Sequence, residues 1–374
     1  MSRFFDIVSR QVRDVGGYIP SPPSRPVTNQ RQITRLDSNE NPLGPSHRAV
    51  EAMRMALASS SAYPDDDCTP LRNRLAELHG VAPEQVLVTP GSTGMLALLC
   101  QTLLTPGLNA VTSERSFIVY AMATHAAGAD LIEAPMREYG IDLEAILQAI
   151  NEDTRIVFLA NPNNPTGTML NADALDRFLD EAPAHVVVVL DEAYFEFAAD
   201  FAARRKVEYS RSLEYLKRGA SVVVTRTFSK VHGLAGLRIG YGLGPAELLS
   251  YCARMRSTFS VASLAQVAAL AALDDGNHLA RTIANNAEQA QILGVGLSEM
   301  GFTVVPTWAN FLCCDLGSDA TPVAEQLRAE GISVRPLAAW GLPTCLRVSI
   351  GTGAQNRAFL DGIQKVLGAT AMSK

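Results

Sequence analysis

The chain has 374 residues, 47% hydrophobic and 19% charged, with 32 basic and 38 acidic side chains and a net charge of −6. That length asks for two domains, or a large domain with a smaller companion, and the acidic balance lacks the basic footprint of a nucleic-acid binder. No apolar run reaches the ~18 residues of a membrane helix, so no membrane partner is expected. The charged N-terminus "MSRFFDIVSRQVRDVGG" has no apolar core or small-residue cleavage site of a secretion signal. Six cysteines occur without a CxxC pair and the histidines form no HExxH; no metal is expected, and a reducing, cytoplasmic setting fits.

Residues 1–45 read as an arm: "GGYIPSPPSRPVTNQ" is too rich in Pro, Gly and Ser to pack as a regular element and is expected to lie over another surface. Ser46 is the expected N-cap of the helix that follows. From residue 71 to about 230, helical segments alternate with short apolar strands: "QVLVTP", "NAVTSE", "DLIEAPM", "RIVFLANP", "HVVVVLDEAY" and "SVVVTRTFSK". Strands apolar on both faces and separated by helices predict a mostly parallel sheet covered on both sides. The large domain is expected over 46–255. After it, a long Ala- and Leu-rich helical stretch, strand candidates "FTVVP", "NFLCCDL", "ISVRPL" and "CLRVSIG", and a last helix predict a smaller α+β domain over 256–374.

Ligands of such sheets gather at the carboxyl ends of the strands, and the residues there form a set. "VTPGST" places Gly91, Ser92 and Thr93 where a strand turns into a helix, a place for a phosphate. "FLANPNNPTG" turns sharply at two Asn-Pro steps and offers Asn164 as a donor. Asp191 ends the most apolar strand, where a carboxylate is costly unless a cation or donor meets it, and Tyr194 follows three residues on. "TRTFSKVHGLAGLR" adds Thr227, Ser229, Lys230 and Arg238. A buried lysine has a lowered pKa and becomes a competent amine. One cofactor asks for all of these. Pyridoxal phosphate needs a lysine for its aldehyde, an anion beside its pyridine nitrogen, donors at its phenolate oxygen and a cradle for its phosphate. "GYGLG" does not follow the GxGxxG spacing of a dinucleotide loop.

With "SNENPLGPS", "AYPDDD", "NPNNPTG", "DEAYFEF", "RTFSKVHGLAGLRIGYG" and "LRVSIGTG" in this order, the chain resembles the fold-type I pyridoxal-phosphate aminotransferases over nearly its whole length, and within them the histidinol-phosphate aminotransferase subgroup. The resemblance implies a three-layer α/β fold with a mostly parallel seven-stranded sheet, a smaller C-terminal α+β domain, and a homodimer with shared sites. It makes Lys230 the covalent partner of the cofactor and the proton carrier, and sets Asp191 against the pyridine nitrogen with Asn164 and Tyr194 at the phenolate oxygen. Ser92, Thr93, Thr227, Ser229 and Arg238 then hold the phosphate, Phe117 stacks on the ring, and Tyr63 reaches the phosphate in the neighbouring subunit. Arg347 and Arg335 bind substrate anions, and Tyr18 and Asn41 lie where the family contacts substrate. The implied reaction moves an amino group between glutamate and imidazole acetol phosphate; an aromatic keto acid is the second candidate acceptor, and a threonine-phosphate decarboxylase-like lyase is a further alternative. Thr93 and Gly94, Arg115, His232 and the arm's "GYIPSPPS" depart from the family's usual residues, at the substrate entrance rather than in the cofactor machinery.

Overall fold

The continuous apolar runs of the first two thirds of the chain pair side by side. In the computed structural model, which describes residues 4, 7, 8 and 33–372, a short strand β1 (Thr34–Arg35) precedes seven strands of one sheet. They are β2 (Val86–Thr89), β3 (Asn109–Ser113), β4 (Asp130–Ala134), β5 (Thr154–Ala160), β6 (Val187–Asp191), β7 (Val222–Thr227) and β8 (Gly240–Leu243), in the spatial order β2-β8-β7-β6-β5-β3-β4. All neighbours run parallel except β8, which is antiparallel to both β2 and β7. Every residue of β2, β3, β7 and β8 is buried, as expected of a sheet with helices on both faces. Two apolar clusters flank it, one carrying Leu71, Val157, Leu190 and Val224, the other Met95, Leu99, Ile156 and Phe158.

A second sheet of β9 (Thr303–Val305), β10 (Phe311–Asp315), β12 (Arg335–Leu337) and β13 (Leu342–Ser349) is antiparallel, in the order β9-β10-β13-β12. The segment "ISVRPL" is two strands rather than one: β11 (Ile332–Ser333) pairs in parallel with β1, while β12 joins β13. Its core contains Leu312, Leu346, Val348 and Phe359. These two sheets give the expected architecture: α/β, mostly parallel seven-stranded, with a smaller α+β part.

Two local results depart from the sequence pattern. The long helical stretch is broken at Asp274–Asp275, where Asp275 accepts from the His278 N–H at 3.1 Å and caps the second helix, Gly276–Glu299. The first, Ser263–Leu273, sends Ala265, Ala268, Ala269 and Ala272 into the core of the large sheet. β8, formed by the "GYGL" of residues 240–243, is a strand that the sequence pattern does not pick out. Its glycines are a packing requirement, because a Cβ on Gly242 would come 2.7 Å from Met95 Sδ in helix Gly91–Leu103. Ser46 is the N-cap of helix His47–Ala56, accepting from the Ala49 N–H at 3.1 Å. Among the described residues, no helix is long and apolar enough to cross a membrane.

Candidate active site

The carboxyl ends of β5, β6 and β7 open onto a cavity of about 590 Å³, closed from the other side by the segment 37–40 and by residues of β12 and β13. Lys230 follows the end of β7. Its Nζ donates to the carbonyls of Asn39 (3.3 Å) and Ser38 (3.5 Å) and lies 5.5 Å from the Tyr194 ring centre. Burial, aided by the positive charge of Arg347, pushes its pKa down to about 8, so a substantial neutral fraction is available just above neutral pH.

Asp191 is 4% exposed. Its Oδ1 accepts from Thr225 Oγ1 and its Oδ2 from Tyr120 OH, both at 3.0 Å. Burial nonetheless raises its pKa above the ordinary carboxylate value, against the lowering effect of those bonds. Its hydrogen-bond partners among the described residues are neutral, and no ion pair to it occurs there. A cation placed against this carboxylate offsets its desolvation. On the opposite face of the strand ends, Glu192 and Arg226 form a buried ion pair at 2.7 Å, and Glu192 N–H donates to the Thr225 carbonyl at 2.9 Å. Together these contacts tie the ends of β6 and β7.

The anion cradle is built from two segments. Thr227 Oγ1 donates to Ser229 Oγ (2.9 Å), and Arg238 Nη1 donates to the same oxygen (3.3 Å). Helix Gly91–Leu103 begins beside them with no side chain capping its first N–H groups, and Ser92 and Thr93 of that first turn line the cavity. Gly91 has φ +75°, and a Cβ there would sit 2.6 Å from Arg238 Nη2; one on Gly240 would sit 2.5 Å from the Ser92 nitrogen. Both positions must lack a side chain for the arginine and the helix start to converge. Hydroxyls, a guanidinium and uncapped helix N–H groups in one place suit a phosphate. With the reactive amine and the buried carboxylate, the donor set fits an anionic pyridine aldehyde.

Arg335 and Arg347 are cross-strand partners on β12 and β13, and both face the cavity. Arg347, 6% exposed, donates to Asn164 Oδ1 (2.6 Å) and to the Asp37 carbonyl (2.7 Å). Asn164 thereby keeps its amide N–H groups for the cavity it lines. Phe117 lines the cavity and meets Tyr120 edge-on at 5.7 Å. Tyr194, 4% exposed, accepts from Asn39 Nδ2 at 3.0 Å.

Two of the described residues expected at the site, Asn41 and Tyr63, do not line this cavity. Asn41 is buried with its Nδ2 donating to the Val231 carbonyl (2.8 Å) and the Thr282 hydroxyl (3.3 Å), and it holds the loop rather than the cavity wall. Tyr63 is 81% exposed and stacks on Phe259 at 4.5 Å, away from this chain's own cavity. Tyr18 lies outside the described residues. His232 is buried against Phe228, its pKa pushed down to about 4 by burial, and serves packing. Conversely, the sequence pattern does not single out Asn39, Tyr120, Thr225 or Trp340, which bonds the Ser116 carbonyl through its indole N–H at 3.1 Å. Asn39 carried one signal: an Asn amid turn residues is suited to left-handed backbone, and its φ is +54°.

Residues 31–363 match the family model of aminotransferases class I and II. The chain belongs to that family. It is 44% identical over 372 residues to a histidinol-phosphate aminotransferase 2 of Pseudomonas aeruginosa, covering 98% of this chain and 99% of the relative. A histidinol-phosphate aminotransferase 2 of Methylococcus capsulatus is 42% identical over 374 residues, covering 96% and 99%. Among solved structures, the histidinol-phosphate aminotransferase of Sinorhizobium meliloti in complex with pyridoxal-5'-phosphate superposes with a TM-score of 0.83 at 28% identity, covering 90% of this chain and 91% of that one.

Proposed function

We propose that the chain is a pyridoxal-phosphate-dependent histidinol-phosphate aminotransferase, exchanging an amino group between glutamate and imidazole acetol phosphate. The observation that carries the substrate reading is the pair Arg335 and Arg347, side by side across two strands on the wall of the cavity that Lys230 faces. Like charges opposite each other in a sheet are unfavourable by themselves. An anion between them offsets that, and one pair serves both partners of the exchange: the carboxylates of glutamate and the phosphate ester of the acceptor.

Pyridoxal phosphate, when bound, supplies an electron sink for the pair released as the substrate Cα–H bond breaks. The protein's residues arrange the rest. Ser92, Thr93, Thr227, Ser229 and Arg238 would hold the phosphate, Phe117 would pack on the ring, and Asn164 and Tyr194 would donate toward its phenolate oxygen. Asp191 would keep the ring nitrogen protonated. Lys230 Nζ would hold the cofactor's aldehyde and would carry the substrate Cα proton; its lowered pKa suits a base working near neutral pH.

Substituting Arg335→Ala is expected to lower kcat/KM for histidinol phosphate by about 10²-fold, the value of one charge-assisted contact, and to affect phenylalanine far less. Equal losses for the two substrates remove the phosphate-pocket assignment. A protein that prefers phenylalanine, or that releases CO₂, supports the aromatic aminotransferase or the lyase instead.

The active unit in this reading is a cytoplasmic homodimer. Met55, Leu57, Tyr63, Tyr251, Met255 and Phe259 are large, apolar and exposed, and their two stretches meet where Tyr63 stacks on Phe259 and Arg256 pairs with Asp66 at 3.3 Å. Such an apolar surface is suited to burial against a second copy, from which Tyr63 reaches the partner's phosphate. Sedimentation is expected to give a dimer; a stable monomer with full activity contradicts the shared site.

A further inference from the structure

We propose that Asn39 and Ser349 fix the direction of the Tyr194 hydroxyl proton, so that this tyrosine presents a donor, not an acceptor, to the cavity. The inference rests on the reading of Tyr194 as a partner of the cofactor's phenolate oxygen, and it adds two positioning residues that act through Tyr194.

A closed chain of bonds carries the argument. The Asn39 backbone N–H donates to Ser349 Oγ at 2.7 Å. With a lone pair of that oxygen engaged, its own proton goes to Asn39 Oδ1, 3.0 Å away. This sets the orientation of the amide, because Oδ1 is the end that accepts. Nδ2 is therefore the end that meets Tyr194, and it donates to the hydroxyl oxygen at 3.0 Å. An amide nitrogen cannot accept, so the Tyr194 proton has to point elsewhere, and Tyr194 lines the cavity. Asn39 (1% exposed) and Ser349 (3%) are buried, where such a chain is not shared with bulk water.

The same residue also steers the amine. The Asn39 carbonyl accepts from Lys230 Nζ (3.3 Å) and from Asn310 Nδ2 (3.0 Å), so one residue on left-handed backbone addresses both groups on either side of the reacting atoms. The charged groups facing Tyr194 are Lys230 after β7, Asp191 at the end of β6 and Arg347 in β13. Besides the Asn39 amide, the apolar side chains Phe197, Val231, Ala309 and Phe311 cluster with it. None of these charged and apolar side chains changes in the variants below.

The test is a pH titration of the visible absorption of the purified, cofactor-loaded enzyme. A donor at the phenolate oxygen lowers the proton affinity of the lysine-linked nitrogen beside it, so Tyr194→Phe is expected to raise the midpoint by about one pH unit. Asn39→Asp keeps the shape and tolerates the backbone but offers only acceptors, which turns the Tyr194 proton away from the cavity. It is expected to raise the midpoint in the same direction, and to do so more in the wild-type background than in Tyr194→Phe. Ser349→Ala, which releases the amide without adding charge, is expected to give a smaller shift of the same sign. An Asn39→Asp shift of equal size in both backgrounds is a direct charge effect and overturns the proposal, as does the absence of a shift in Ser349→Ala. If the wild type shows no visible band, the cofactor reading itself fails; if the band is present and Tyr194→Phe leaves its midpoint in place, that reading stands and this inference alone is overturned.

Discussion

Replacing Lys230 by alanine is expected to abolish turnover, by at least about 10⁴-fold, because both the covalent partner and the proton carrier are lost in one substitution. The visible absorption of the bound cofactor is expected to vanish with it, while the fold survives. A charged amine held in this cavity is unfavourable to the folded protein, as its pKa of about 8 shows, so removing it does not undermine the core. Retention of more than about a hundredth of the wild-type kcat by the alanine variant contradicts the assignment. Circular dichroism of the same sample distinguishes lost chemistry from lost structure.

Asp191→Asn ranks second. Losing the carboxylate's charge against a cationic ring nitrogen is expected to lower kcat by roughly 10²–10³-fold, the equivalent of breaking a buried charge pair by removing one member. The amide is isosteric and can keep the bond from Thr225 Oγ1. Stability of the cofactor-free protein is expected to move the other way. Because burial raises the Asp191 pKa, the folded state holds this proton more tightly than the unfolded chain does. Wild-type stability is therefore reduced as pH rises from the unfolded carboxylate's range through the folded pKa. At neutral pH the cofactor-free Asp191→Asn protein is expected to melt no lower than wild type, and the difference should close as the pH is lowered through that range. A variant that loses stability at neutral pH without losing kcat makes Asp191 a structural cap.

How far these residues could be read from the sequence depends on which physical signal each carries. β5, β6 and β7 are legible because they are unbroken β-branched and apolar runs, the mark of strands buried on both faces. β8 is not: its alternating Gly240 and Gly242 have small-residue reasons that exist only once helix Gly91–Leu103 is packed against them. Helix Phe195–Arg205 is masked by its aromatic, polar opening "FEFAADFAARR", and the Asp274–Asp275 break by the helix-forming residues on both sides. In the site, Lys230, Asp191 and Arg238 stand out as charges at strand ends or in a hydroxyl-rich loop. Tyr120 and Thr225 do not, since a tyrosine within a helix and a threonine within a strand look like packing until Asp191 is set beside them. Asn39 and Asn41 sit two residues apart in "SNEN", and only the left-handed turn at Asn39 decides which of them addresses the cavity.

The central claim, amino transfer from histidinol phosphate through Lys230, is tested most directly by a half-reaction. Histidinol phosphate is added to the cofactor-loaded enzyme without a keto acid, and the visible spectrum and released products are followed; 2-oxoglutarate is added afterwards. One equivalent of imidazole acetol phosphate per active site is expected with loss of the visible band, then recovery of the band and formation of one equivalent of glutamate. An unchanged spectrum with histidinol phosphate, or CO₂ release in place of a keto product when a phosphorylated amino acid is supplied, contradicts it.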